Sequence, residues 1–113
     1  MSKNSGTNLA ANLAANKSQF LFGAATAAHQ VEGNNHNNDW WQFETTTPGV
    51  HQSGAAANSY ELYKEDRKIL QQMGCNTYRF SIEWARIEPT QGNFDLDALN
   101  HYRELILDLR AHG

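Results

Sequence analysis

The sequence predicts an α/β fold made of two consecutive strand–helix units whose strands run parallel. Two observations carry that expectation. Two apolar segments, near 20–24 and 76–84, have strand character, and each is followed by an amphipathic pattern of helical period. Strands joined through helices pair side by side in parallel, with a right-handed crossover.

Gln19-Phe-Leu-Phe-Gly-Ala-Ala-Thr26 is a short apolar run ending in small residues, the pattern of a buried strand whose end lies close to other backbone. A first strand is expected near 20–24. From Ala27 to Asn58 the chain is rich in Asn, Gly, His and Thr, has a turn signal at Pro48-Gly49 and shows no sustained periodicity, so it reads as a long loop. Loops longer than about 12–15 residues are usually functional or disordered. This one carries His29, Gln30, Glu32, His36, Asp39, Trp40 and Trp41.

Asn58 or Ser59 can cap a helix over 59–73 with Leu62, Tyr63, Ile69, Leu70 and Met73 on its apolar face, and Gly74 supplies a left-handed stop. From Asn76 to Trp84, the residues Tyr78, Phe80, Ile82 and Trp84 alternate with Arg79, Ser81 and Glu83, a period of two that predicts the second strand. Ile87-Glu88-Pro89 breaks regular structure and Gln91-Gly92-Asn93 turns the chain. Asp95 then caps a last helix with Leu96, Leu99, Tyr102, Ile106 and Leu109 at helical spacing. Two parallel strands leave both outer edges open, whereas parallel sheets are normally covered, so further strands are expected beside these.

Composition narrows the function. The 113 residues fit one domain, and the net charge of -3 leaves no basic surplus to neutralise a phosphate backbone, so nucleic acid is not an expected partner. No apolar run reaches the ~18–20 residues of a membrane span, and Cys75 is a single cysteine, read as a small buried hydrophobe. Residues 1–18 lack the apolar region of a secretory signal and read as a flexible tail ahead of a domain at 19–113; a cytoplasmic location is expected.

Two blocks carry a family resemblance. Phe22-Gly-Ala-Ala-Thr-Ala-Ala-His-Gln-Val-Glu-Gly33, followed by Asp39-Trp-Trp41, resembles the N-terminal signature of family 1 glycoside hydrolases, the β-glucosidase and 6-phospho-β-glycosidase group. Tyr60-x-x-Tyr63-x-x-Asp66 through Gly74, then Tyr78-Arg-Phe-Ser-Ile-Glu-Trp-Ala-Arg-Ile-Glu-Pro89, is similar to its second-strand region. The resemblance implies a partial (β/α)8 TIM barrel, a fold that needs roughly 250 residues and places its active site at the carboxyl ends of the strands. The chain is then expected to be the opening quarter of such a barrel, its first two βα units (strand, helix, strand, helix), with the remaining barrel as its natural partner and a β-glycoside as substrate.

Retaining glycoside hydrolysis needs two carboxyl groups ~5–5.5 Å apart. The family supplies them as glutamates in Asn-Glu-Pro and Glu-Asn-Gly contexts, and neither context occurs here. No catalytic residue is therefore expected in this chain. Glu88 lacks the preceding Asn and reads as a loop residue. The resemblance implies that Gln30 hydrogen-bonds sugar hydroxyls, for which an amide offers donors and an acceptor together; otherwise it is a loop amide serving nearby backbone. Arg79 stands where the family has an arginine beside the nucleophile, able to orient and hold ionised a carboxylate; otherwise it is an exposed or ion-paired strand residue. Trp40, Trp41 and Trp84 are expected as packing anchors more than sugar platforms. His29, Glu32, His36 and Asp39 admit a metal reading by type and spacing, but no second cluster supports it and the resemblance implies neither metal nor cofactor. A competing expectation is a non-catalytic module that binds sugar weakly or complements a barrel through its open strand edges.

Overall fold

A computed structural model of the chain describes residues 20–113; the expected tail at 1–18 lies outside them. Strand β1 (Gly23–Ala25) pairs in parallel with β2 (Thr77–Arg79), Gly23 opposite Thr77, Ala24 opposite Tyr78 and Ala25 opposite Arg79. The pairing extends past both ends. Phe22 N–H donates to Asn76 Oδ1 and Asn76 N–H to the Phe22 carbonyl, both at 2.9 Å, while Thr26 N–H donates to the Arg79 carbonyl at 2.8 Å.

The first strand thus lies later than the 20–24 expected. The two backbones approach so closely at Gly23 that a Cβ there would stand 2.1 Å from the Thr77 carbonyl oxygen. Small residues form the ladder for that reason, and the bulky run before it stays outside, with Phe20 88% exposed.

The second strand is shorter than the 76–84 expected. Alternation persists through Phe80, whose ring stacks on Tyr78 with centroids 5.4 Å apart, but the chain then leaves the ladder and winds into a short helix, Trp84–Ile87. Glu83 starts that helix, its carboxylate accepting from Ala85 N–H.

The long loop expected over 27–58 contains two helices, α1 (Ala28–Val31) and α2 (Asp39–Thr46). Asn38 caps α2 by accepting from Trp41 N–H at 2.8 Å, and Asp39 occupies its first turn. Neither helix carries a sustained apolar stripe, so periodicity is silent about both.

Helix α3 (Ser59–Gln72) matches the expected span closely, but its start differs: Asn58 is left-handed at φ 52°, and its side chain makes no cap bond. Gly74, at φ 76°, ends α3 as expected, and Cys75 N–H closes back on the Leu70 carbonyl at 3.0 Å. Helix α4 is the Trp84–Ile87 turn, and α5 (Leu96–Ala111) begins at Asp95, whose carboxylate accepts from Asp97 and Ala98 N–H.

The core gathers Ile87, Ala98 and Tyr102, with Tyr60 packed against them. Arg67 of α3 reaches Asp108 of α5 at 2.9 Å. Helix α5 buries Ala98 and Tyr102 while α3 only half-covers the flank carrying Tyr60: Leu62, Ile69 and Met73 of α3 and Leu96, Leu99 and Ile106 of α5 remain exposed. Among the described residues the outer edges of β1 and β2 are unpaired, and no helix is long and apolar enough to cross a membrane.

Candidate functional site

The carboxyl ends of the parallel strands lie at Ala25 and Arg79, and both sequence-predicted site residues belong to that end. Arg79 closes β2. Its side chain is exposed on the opposite layer from half-buried Tyr78 and Phe80, as the alternation predicted, and Nη1 donates to the Thr26 carbonyl at 2.9 Å. Tyr78 Oη and Thr26 Oγ1 share a hydrogen bond of 2.7 Å on the inner layer. Gln30 sits on α1, just beyond the end of β1, and its side chain is exposed. No hydrogen bond joins Gln30 to Arg79 among the described residues.

Helix α1 is only one turn long, so its placement depends on what grips it. Ala28 N–H donates to Ser81 Oγ at 2.7 Å, tying the start of α1 to the segment after β2. On its carboxyl side the buried Glu32 is fully engaged: Oε1 accepts from Tyr102 Oη at 2.7 Å, and Oε2 accepts from Arg86 Nε at 3.0 Å and Asn35 Nδ2 at 3.2 Å. Arg86 also donates to the Gly33 carbonyl and lies 3.9 Å over the Tyr60 ring. Burial, reinforced by the bond to Glu32, pushes the Tyr102 hydroxyl far above its ordinary range, so it remains a donor to the carboxylate. Gly33 is required where the chain turns away: at φ 85° any Cβ would meet the Ala55 carbonyl oxygen at 2.2 Å.

A second buried carboxylate, Glu44 of α2, grips the other side. Its Oε1 lies 2.6 Å from His29 Nε2, and its Oε2 accepts from Ser53 N–H at 2.7 Å and Ser53 Oγ at 2.9 Å. The Ser53 backbone donor holds the Glu44 carboxyl below the ordinary range, against burial and with help from His29. Asn38 Nδ2 bridges His29 Nδ1 and Glu83 Oε2, each at 3.0 Å.

The residues of the metal reading disperse. His29 goes to Glu44 and Glu32 to Arg86 and Tyr102; His36 packs at a tilt against Trp41, with centroids 4.2 Å apart, and Asp39 is exposed at the start of α2. Among the described residues no three His, Cys, Asp or Glu side chains gather as a metal site. Glu88 is occupied structurally, accepting from Trp84 Nε1 and Gly92 N–H at 2.8 Å each. Trp41 packs on His36, while Trp40 and Trp84 contact Phe43 and Phe94 yet stay 56% and 58% exposed. Cys75, expected buried, is half-buried at the end of α3, where the chain turns outward at Gly74.

Sequence reasoning missed Glu44, Asn38 and Ser53. Their roles arise from contacts across many residues, and a lone Glu among threonines carries no local signal. Arg86 lay within a motif that marked the family without indicating its partner.

The sequence profile of glycosyl hydrolase family 1 matches residues 14–113. The chain is 42% identical over 103 residues to a protein named putative myrosinase 6 from Arabidopsis thaliana, an alignment covering 83% of this chain and 21% of that one. Its structure superposes on a β-glycosidase from Pyrococcus horikoshii with a TM-score of 0.77 at 48% identity, covering 83% and 22% of the respective chains. It superposes on a β-glucosidase from the fungus Humicola insolens, solved in complex with glucose, with a TM-score of 0.73 at 36% identity, covering 83% and 22%. The chain thus spans about a fifth of the length of the relatives it matches. Two parallel strand–helix units, with Gly23 and Gly33 required by close backbone approaches, form part of a (β/α)8 barrel, and with the profile match they establish that the chain belongs to glycosyl hydrolase family 1.

Proposed function

We propose that residues 20–113 form one wall of the sugar pocket of a retaining β-glycosidase, and that both carboxyl groups of the double displacement come from outside these residues. In this reading Gln30 donates to and accepts from hydroxyls of the sugar whose bond is cleaved. Arg79 orients the nucleophilic carboxylate and keeps it ionised; one of its five N–H donors goes to the Thr26 carbonyl, leaving others for that task. Attack by the nucleophile would form a glycosyl-enzyme, which water then releases with retained configuration. The observation that carries the reading is the shared position of Gln30 and Arg79 at the carboxyl end of two adjacent parallel strands, with Gln30 exposed beyond it. In barrels of this kind the substrate lies at that end.

The test replaces the matching segment of the Pyrococcus horikoshii β-glycosidase with residues 20–113 and assays hydrolysis of 4-nitrophenyl β-glucoside. The graft is expected to turn over. Gln30→Ala is expected to lower kcat/KM about 10- to 100-fold through lost hydrogen bonds, and Arg79→Ala to lower kcat. The 113-residue chain by itself is expected to give no turnover. Unchanged kinetics in both folded variants, or multiple turnovers by the chain alone, would refute the proposal.

A further inference from the structure

The grip on His29 has a consequence for its neighbour. We propose that Glu44 is a positioning residue for Gln30, acting through His29; the inference rests on the sugar-contact reading of Gln30. The backbone hydrogen bonds internal to α1 are those of a single turn, such as Glu32 N–H to the Ala28 carbonyl at 2.9 Å, and Ala27 at its start makes no side-chain cap bond, so its orientation rests on outside contacts such as Ala28 N–H to Ser81 Oγ and those of His29. One turn does not hold its own orientation. His29 is its only side chain reaching across to α2 and to the segment around Ser53, and it immediately precedes Gln30.

The network around His29 is directional. Asn38 Oδ1 accepts from Trp41 N–H, which fixes the amide so that Nδ2 faces His29 Nδ1. Nδ1 must then be the acceptor, and the ring proton sits on Nε2, aimed at Glu44 Oε1. The other oxygen of Glu44 accepts both Ser53 donors. Every proton has one acceptor, and only a carboxylate satisfies both sides at once.

The same geometry excludes a nucleophilic serine. Ser53 Oγ lies 3.2 Å from the same Nε2 that meets Glu44, and its hydroxyl donates to Glu44. An imidazole relay needs the hydroxyl and the acid on opposite ring nitrogens. Glu44 therefore orients rather than activates.

Glu44→Gln keeps size and shape but offers one acceptor instead of two, so either His29 or Ser53 faces an opposing donor. Turning the ring proton to Nδ1 only moves the conflict to Asn38. In the barrel graft, E44Q is expected to lower kcat/KM about tenfold with Gln30 present and to have no further effect when Gln30 is already alanine. Equal losses from E44Q in both backgrounds, or no loss in either, would overturn the role of Glu44 while leaving Gln30 as a sugar contact. A Q30A variant with full activity would instead overturn the reading of Gln30 and this inference with it. Ring 15N shifts of His29 in the histidine-labelled barrel graft give a readout independent of catalysis. The Nε2–H tautomer is expected in the parent, with its ring 15N shifts displaced in E44Q as the charged acceptor is lost; an Nδ1–H ring in the parent, or unchanged shifts in E44Q, refutes the inference.

Discussion

Glu44 shows what one buried carboxylate does when its acceptors are all used. The Ser53 backbone N–H is the strongest of the influences holding it ionised, and His29 adds to it. Its pKa in the folded chain lies below the ordinary value of 4.5, so the unfolded chain binds the proton more readily. The stabilisation is fully present above 4.5 and is lost as pH falls through the folded value. Glu88 has the same sign, through Gly92 N–H and the Trp84 indole. Urea unfolding followed by circular dichroism should therefore show the midpoint falling as the pH is lowered below 4.5, with E44Q less stable at pH 7 and flatter over the acid range; an equally steep acid decline in E44Q would contradict this. None of that was legible in the sequence. Glu32 stood out only as one of several possible ligands, and Glu44 not at all, because each is defined by partners outside its own helix: the distant Arg86 and Tyr102 for Glu32, and Ser53 and His29, nearer but at no helical or strand spacing, for Glu44.

At the scale of elements, capping signals held at the start of α5 and the end of α3 but not at the start of α3, where Asn58 is left-handed and its side chain makes no cap bond. Asp95 caps α5 and Gly74 terminates α3, as local chemistry requires. Apolar runs were less reliable. The run Phe20-Leu-Phe22 marked the right neighbourhood but not the paired residues, because the close approach at Gly23 admits only a small residue. Tyr102 ties the elements together. It is buried on α5, donates to Glu32 beyond α1 and accepts from Glu83 N–H before α4 at 3.1 Å. Tyr102→Phe keeps the ring and its packing but leaves a buried carboxylate and a backbone donor each short of a partner. A loss of about 1–3 kcal/mol in unfolding free energy by urea titration is expected. An unchanged midpoint would mean that water replaces the hydroxyl.

For the whole molecule, the flanks of α3 and α5 and, among the described residues, the outer edges of the strands leave apolar surface and backbone groups uncovered. Ile69, Met73, Leu96 and Leu99 are each about half exposed or more, well beyond the scattered apolar contacts of an ordinary surface. The 113-residue chain is expected to self-associate at micromolar concentration in sedimentation velocity and to enhance the fluorescence of an apolar dye. In the barrel graft both effects should be absent; a monodisperse chain without dye binding would show that these flanks need no cover. The parallel strand order, both long helices and the family blocks followed from the sequence by itself, because period, caps and turn glycines act between residues close along the chain. Only the tertiary structure decided that the stretch 27–58 folds into α1 and α2, and that α1 is held between Glu32 and Glu44. Those contacts depend on charge and hydrogen-bond geometry between residues of different elements, at separations that follow no helical or strand period, so the linear pattern carries no record of them.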